Sequence, residues 1–211
     1  VTPRISLRFA AVLIALVPAA AACATGPEGA SPAASASSSS AAPAGPPAAA
    51  EAARVGAADS GCPMPVSFGI AASWTPKAVD TAALGPDLAA ALGKGGMVPV
   101  CEIDAKPAGN IGFIRVYTGE HGDLRATLTS FAGEGAQAPA FTELRIGGKP
   151  AVEITYTSTS ELDGTVEKEV AFAVETSRGV VAVALDSFDD EEHAAMLPAY
   201  ELAKSTLTVT G

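Results

Sequence analysis

Apolar and polar positions alternate in short runs over most of the chain beyond residue 65. Val66, Phe68 and Ile70 alternate in PVSFGIA, Val98 and Val100 precede Glu102, and Ile114 and Val116 alternate in IGFIRVYTG. A period of two places alternate side chains on one face of a strand, so each run predicts a β-strand. FTELRIGGKPAVEITYTS reads as two strands around the turn Gly147-Gly148, with Val152, Ile154 and Tyr156 facing one way. TVEKEVAFAVET puts Val166, Val170, Phe172 and Val174 on one face and Glu167, Glu169, Ala171, Ala173 and Glu175 on the other. The polar face predicts a sheet edge or a partly covered sheet. Arg178-Gly179 makes the next turn, and VVAVALDSF returns as a nearly continuous apolar strand, central and covered on both sides.

Helical spacing is rarer. PDLAAALGK from Pro86 predicts a short helix, and GDLRATLTSFAG sets Leu124, Leu128 and Phe131 on one helical face. In DSFDDEEHAAMLPAYELAKSTL, Ser187 or Asp189 can cap a helix whose first turn carries Asp190, Glu191 and Glu192, where the helix dipole favours negative charge. Met196, Leu197, Tyr200 and Leu202 are its candidate core residues, and Pro198 is expected to kink or divide it. A meander of strands closed by a helix predicts an α+β fold, an antiparallel β-sheet flanked by helices, rather than a doubly wound α/β one.

Residues 1–60 follow other rules. Arg4 and Arg8 precede an apolar stretch over residues 9–17 and small residues over 19–22, the order of a secretory signal. Ala20-Ala21-Ala22-Cys23 resembles the lipobox of bacterial lipoproteins. That resemblance implies cleavage before Cys23 and a diacylglyceryl group on its sulfur, although Ala20 stands where the pattern prefers a larger aliphatic residue. Plain secretion after cleavage near Ala22 is the alternative. Lipidation predicts a chain anchored at the extracytoplasmic face of a cell membrane. Residues 24–59 are almost wholly Ala, Ser, Pro and Gly, and SPAASASSSSAAPAGPPAAA has no large apolar residue to offset the entropy of ordering, so a disordered tether reaching about 30–35 Å is expected. The expected plan is a signal peptide over 1–22, lipidated cysteine and tether over 23–60, and a single α+β domain over 61–211.

Three cysteines occur: Cys23, Cys62 and Cys101. Lipidation of Cys23 leaves Cys62 and Cys101 to pair in an oxidising compartment, with two buried thiols as the alternative. Without Arg4 and Arg8, 11 Lys and Arg face 23 Asp and Glu, a net charge of −12. Such a chain repels phosphate, so no nucleic acid partner is expected.

The domain resembles the actinobacterial lipoproteins of the LpqN type, whose layered α/β/α fold is shared by Mog and PsbP-like proteins. PVSFGIAASWTPKAV is similar to the first strand and corner of that fold, with Ser73-Trp74 where Gly-Trp is common. FIRVYTG, the strand over 153–157, the hairpin across Arg178-Gly179 and AYELAKSTLTV fit the remainder. The resemblance implies a binding or accessory module.

Candidate chemistry is sparse. Ser158 and Ser160 lie near Glu161 and Asp163, but no G-x-S-x-G elbow is present. His121 in TGEHGD reads as an exposed turn residue. His193 reads as part of a helix start, its pKa raised by Asp189 and Asp190. Asp186, Asp189, Asp190, Glu191 and Glu192 could attract a calcium ion but read better as a solvated helix start. Gly93, Gly95 and Gly96 around Lys94 read as a helix end. Trp74 is a core anchor or pocket wall, with a binding surface as the alternative. No enzyme, cofactor or metal is expected. The expected function is a membrane-anchored module for an envelope protein, or else a carrier of a small apolar ligand between sheet and helix.

Overall fold

The computed structural model describes residues 46–160 and 163–210. They form an α+β domain with two antiparallel sheets. The strands are β1 (Glu51–Val55), β2 (Val66–Ala71), β3 (Thr75–Ala78), β4 (Val98–Asp104), β5 (Gly112–Gly119), β6 (Gln137–Ile146), β7 (Lys149–Thr159), β8 (Val166–Thr176), β9 (Gly179–Ser187) and β10 (Thr208–Val209). The helices are α1 (Thr81–Leu84), α2 (Pro86–Leu92), α3 (Leu124–Ala132) and α4 (Asp190–Thr206). The large sheet has the order β3-β4-β5-β9-β8-β7-β6, and the small one β1-β2-β10.

Alternation sorts the large sheet's side chains into two cores. On one face Val116, Phe172, Val181, Val183 and Leu185 meet Val66 and Phe68 of the small sheet and Met196, Tyr200 and Ala203 of α4. On the other, Tyr117, Ile154, Ala171, Ala173 and Ala182 meet Leu128 and Phe131 of α3. The Tyr117 and Phe131 rings meet edge to face, 5.0 Å apart. β9 is buried on both faces, as its apolar run requires.

Strand β8 is not a sheet edge, but the other expectation, a partly covered sheet, holds: residues 170–174 are buried while Val166 and Lys168 are exposed. It lies between β7 and β9, and its Ala171 and Ala173 are small enough for α3 to cover. Val166, expected inward with Val170, is 60% exposed.

The stretch read as tether up to residue 60 contains structure. β1 pairs antiparallel with β2, and Arg54 donates to the Thr206 carbonyl at 2.9 Å. Of EAARV only Val55 enters the core, so backbone pairing with β2 and that single buried side chain hold the strand. The signal segment, Cys23, the rest of the tether and Glu161 lie outside the described residues.

Helix α4 is not divided at Pro198. Met196 and Tyr200, both fully buried, fix the helix on either side of the ring. Asp189 rather than Ser187 caps it, accepting from the Glu191 and Glu192 amides at 2.9 and 2.8 Å. Cys62 and Cys101 form a disulfide with Cα atoms 5.7 Å apart, joining the loop before β2 to β4. Among the described residues, no helix is long and apolar enough to cross a membrane.

Candidate functional site

At the end of the large sheet where cover runs out, α4 and the β7–β8 pair diverge into an open groove of about 400 Å³. Its helix wall is one stripe at four-residue spacing, His193, Leu197 and Glu201. Its sheet wall is Glu153, Thr155 and Thr157 from β7 and Lys168 and Val170 from β8, with the intervening Tyr156 and Glu169 also bordering it. Pro46 and Ala138 border it as well. Of the helix wall, the sequence singled out only Leu197 as inward-facing, and only the fold sets the two walls opposite each other.

The groove's charged groups are tied down. Glu153 Oε1 accepts from the Tyr200 hydroxyl at 2.9 Å and from Lys204 Nζ at 2.7 Å, and Lys204 also reaches Glu201 at 2.7 Å. Burial lowers the Lys204 pKa, but the hydrogen bonds to Glu153 and Glu201 outweigh it and hold the ammonium above its ordinary value. Tyr200 is pushed well up, first by burial and then by the Glu153 charge. Lys168 pairs with Asp190 at 2.8 Å across the groove mouth. Paired charged side chains and neutral hydroxyls on an apolar floor of Val170 and Leu197 suit an amphipathic ligand better than proton transfer.

His193 corrects the sequence expectation. Its pKa lies below the ordinary value, because burial outweighs the attraction of Asp190. The side chain is 7% exposed, and Nδ1 sits 3.3 Å from Ser187 Oγ, joining the start of α4 to the end of β9. A neutral imidazole is the form that this site favours.

The remaining candidates separate. His121 is exposed and bonds Glu175 through Nδ1. Asp186 pairs with Arg115 at 2.7 Å and Lys94 at 3.2 Å, and Arg115 reaches Glu102 at 2.7 Å. This network lies on the opposite face of the sheet and ties the loop after α2 down. The Arg115 pKa rises because Asp186 and Glu102 outweigh its burial. Gly93 ends α2, as expected. Ser158 donates to Glu169 at 3.0 Å, and burial pushes the Glu169 carboxyl upward. Asp163 accepts from Thr165 instead of joining Ser158. Trp74 is 8% exposed within the cluster that holds Cys62, Phe68 and Cys101, so it presents almost no surface to a partner. Among the described residues, no group of three or more His, Cys, Asp and Glu side chains could hold a metal ion.

Sequence reading found the polar anchoring of the helix only in part: it singled out Tyr200 but not Glu153, Lys204 or Lys168. For Glu153 and Lys168 the signal was a polar residue at an inward position of a β-strand, which is how a sheet face looks where its cover ends; Lys204, on α4, carried no such signal.

No curated protein matches the chain. Among solved structures, cyanobacterial PsbP (CyanoP) from Synechocystis sp. PCC 6803 is similar at 12% identity and a TM-score of 0.47, over 74% of this chain and 91% of that one. LpqN of Mycobacterium tuberculosis, described as involved in cell envelope biogenesis, is similar at 16% identity and a TM-score of 0.45, over 75% of this chain and 90% of that one. A family model described as uncharacterised lipoprotein matches residues 32–207, and the chain belongs to that family.

Proposed function

We propose that this protein is a non-enzymatic envelope lipoprotein, held at the extracytoplasmic face of the membrane by a lipid on Cys23, whose domain docks an extended polypeptide segment of another envelope protein. The observation that carries this reading is the groove between α4 and β7–β8. It is open along its length, mixes an apolar floor with hydroxyls and fixed charges, and offers the alternating polar and apolar contacts that an extended backbone makes. A carrier of a small apolar ligand needs a closed cavity with few polar groups. Its case rests on the same groove, and the openness favours the polypeptide. Assignment to the LpqN type rests on the similarity of PVSFGIAASWTPKAV, FIRVYTG and AYELAKSTLTV to that family.

A photo-crosslinking residue at Thr157 or Leu197, introduced in the native envelope, tests the groove. Covalent capture of an envelope polypeptide, with none from the same residue at Lys106, is expected. Capture of lipid or another small molecule alone would replace this reading with the carrier. For the anchor, the Cys23→Ala chain should lose both the lipid mass and membrane partitioning. Unchanged mass and fractionation would remove the lipidation claim.

A further inference from the structure

The large sheet ends on one side in β3, four residues long with Pro76 and Lys77, and on the other in β6, ten residues long. Natural sheets blunt such edges with prolines, charges and bulges. The first part of β6 is blunted: the pairing with β7 is irregular between Gln137 and Ala140, Ala138 has a positive φ of 48°, and Pro139 has no N–H. Residues 141–145 carry no such break and pair with β7 in continuous register.

The hairpin turn determines which backbone groups of this stretch face outward. Gly147 and Gly148 have φ of 56° and 77°, the two positive values of a two-residue type I′ turn, and Ile146 faces Lys149 across it. The closing pair exchanges hydrogen bonds, and the pattern alternates from there. Ile146, Leu144 and Thr142 therefore bond to β7, while Arg145, Glu143 and Phe141 direct N–H and C=O to the open edge. The side chains of Phe141 and Glu143 lie on the face of α3, where Arg125 reaches both, at 4.5 Å from the Phe141 ring and 3.9 Å from Glu143. Leu144 lies on the opposite face, half-buried against the core beneath α4.

We propose that β6 pairs with β6 of a second copy of this chain, antiparallel about Leu144. This placement satisfies the backbone and the charges together. A two-fold axis at Leu144 sets Glu143 opposite Arg145 of the second copy, and Arg145 opposite its Glu143. Both residues have outward-facing backbone groups, so each of the two pairs exchanges two hydrogen bonds and sets opposite charges side by side. Leu144 meets its own copy at the axis, in the closer, non-hydrogen-bonded type of pair. A shift by one residue would put the outward groups of one copy against the bonded groups of the other. The axis runs perpendicular to the sheet, so both α4 helices stay on one face. Pro46 borders the groove on that face in each copy, so two tethers leave the dimer on the same side and can reach one membrane. The proposal is independent of what the groove binds.

Sedimentation of the full chain carrying Cys23→Ser, over a range of concentrations, reads the association directly. A concentration-dependent dimer is expected. Glu143→Arg or Arg145→Glu alone places like charges at both pairs and should raise the dissociation constant by about tenfold or more. The double reversal Glu143→Arg with Arg145→Glu should restore it. Adding Leu144→Cys to the Cys23→Ser chain should give a covalent dimer under mild oxidation. A chain that stays monomeric at every concentration, or a dimer indifferent to the single reversals, would overturn the proposal. A dimer broken equally by the single reversals and by their combination would overturn the Leu144 axis.

Discussion

Tyr200 of α4 donates its hydroxyl to Glu153 of β7 at 2.9 Å from a fully buried position, with its ring 5.6 Å from that of Phe172. One side chain thus closes the core with its ring and orients a groove carboxylate with its oxygen. Tyr200→Phe keeps the ring and removes the donor to a charged acceptor. A loss of about 1.5–3 kcal/mol is expected in urea unfolding. Combined with Lys204→Met, the two losses should not add, because both groups bond Glu153 Oε1.

His193 should make stability depend on pH on the acid side. Its folded pKa is below the unfolded value of about 6.5, so the unfolded chain takes up its proton first. The contribution is therefore complete above about pH 6.5 and is lost as pH falls through the folded pKa. Unfolding midpoints between pH 7.5 and 5 should fall in the parent chain and fall less in His193→Gln, which retains a polar partner for Ser187. An equal slope in both would assign the acid sensitivity to other groups.

Cys62 and Cys101 are almost fully buried, and the bond they form closes a segment with a sequence separation of 39. Replacing both by Ser should cost about 2–4 kcal/mol, read as a lower denaturation midpoint. The native chain should resist mild reductant until it unfolds, since neither sulfur is open to attack.

Helices α1 and α2 contain no buried residue, and Leu84, Leu88 and Leu92 are 38–49% exposed. Their amides should exchange faster than those of β9 in hydrogen-exchange measurements. Leu88→Glu should change stability by no more than about 0.5 kcal/mol.

Legibility followed the chemistry of each element. β5 and β9 were readable because alternation or continuous burial is written into residues a few positions apart. β1 was not, because EAARV offers no apolar pattern and owes its conformation to β2, whose Phe68 and Gly69 lie across from Val55 and Arg54. The polar face of β8 looked solvated because alanine is neutral in periodicity, and only the arrival of α3 decides that Ala171 and Ala173 are interior. The groove was the least legible feature. Glu153 and Tyr200 are each ordinary in their own segments, and their meaning comes from a contact across 47 positions. Burial of His193 reversed the direction of its pKa shift for the same reason, since local sequence shows the acidic neighbours but not the packing.

The disulfide has a mechanical consequence. A pull on the chain before Pro46 reaches β1 first, and stripping that strand from β2 lets residues 46–61 straighten. Those 16 residues lengthen to at most about 55 Å. Cys62 then transmits the load covalently to Cys101, in the middle of β4. The domain is thus fitted with a short extensible leash and a hard stop, so tension can unfasten its first strand while the seven-stranded sheet stays folded.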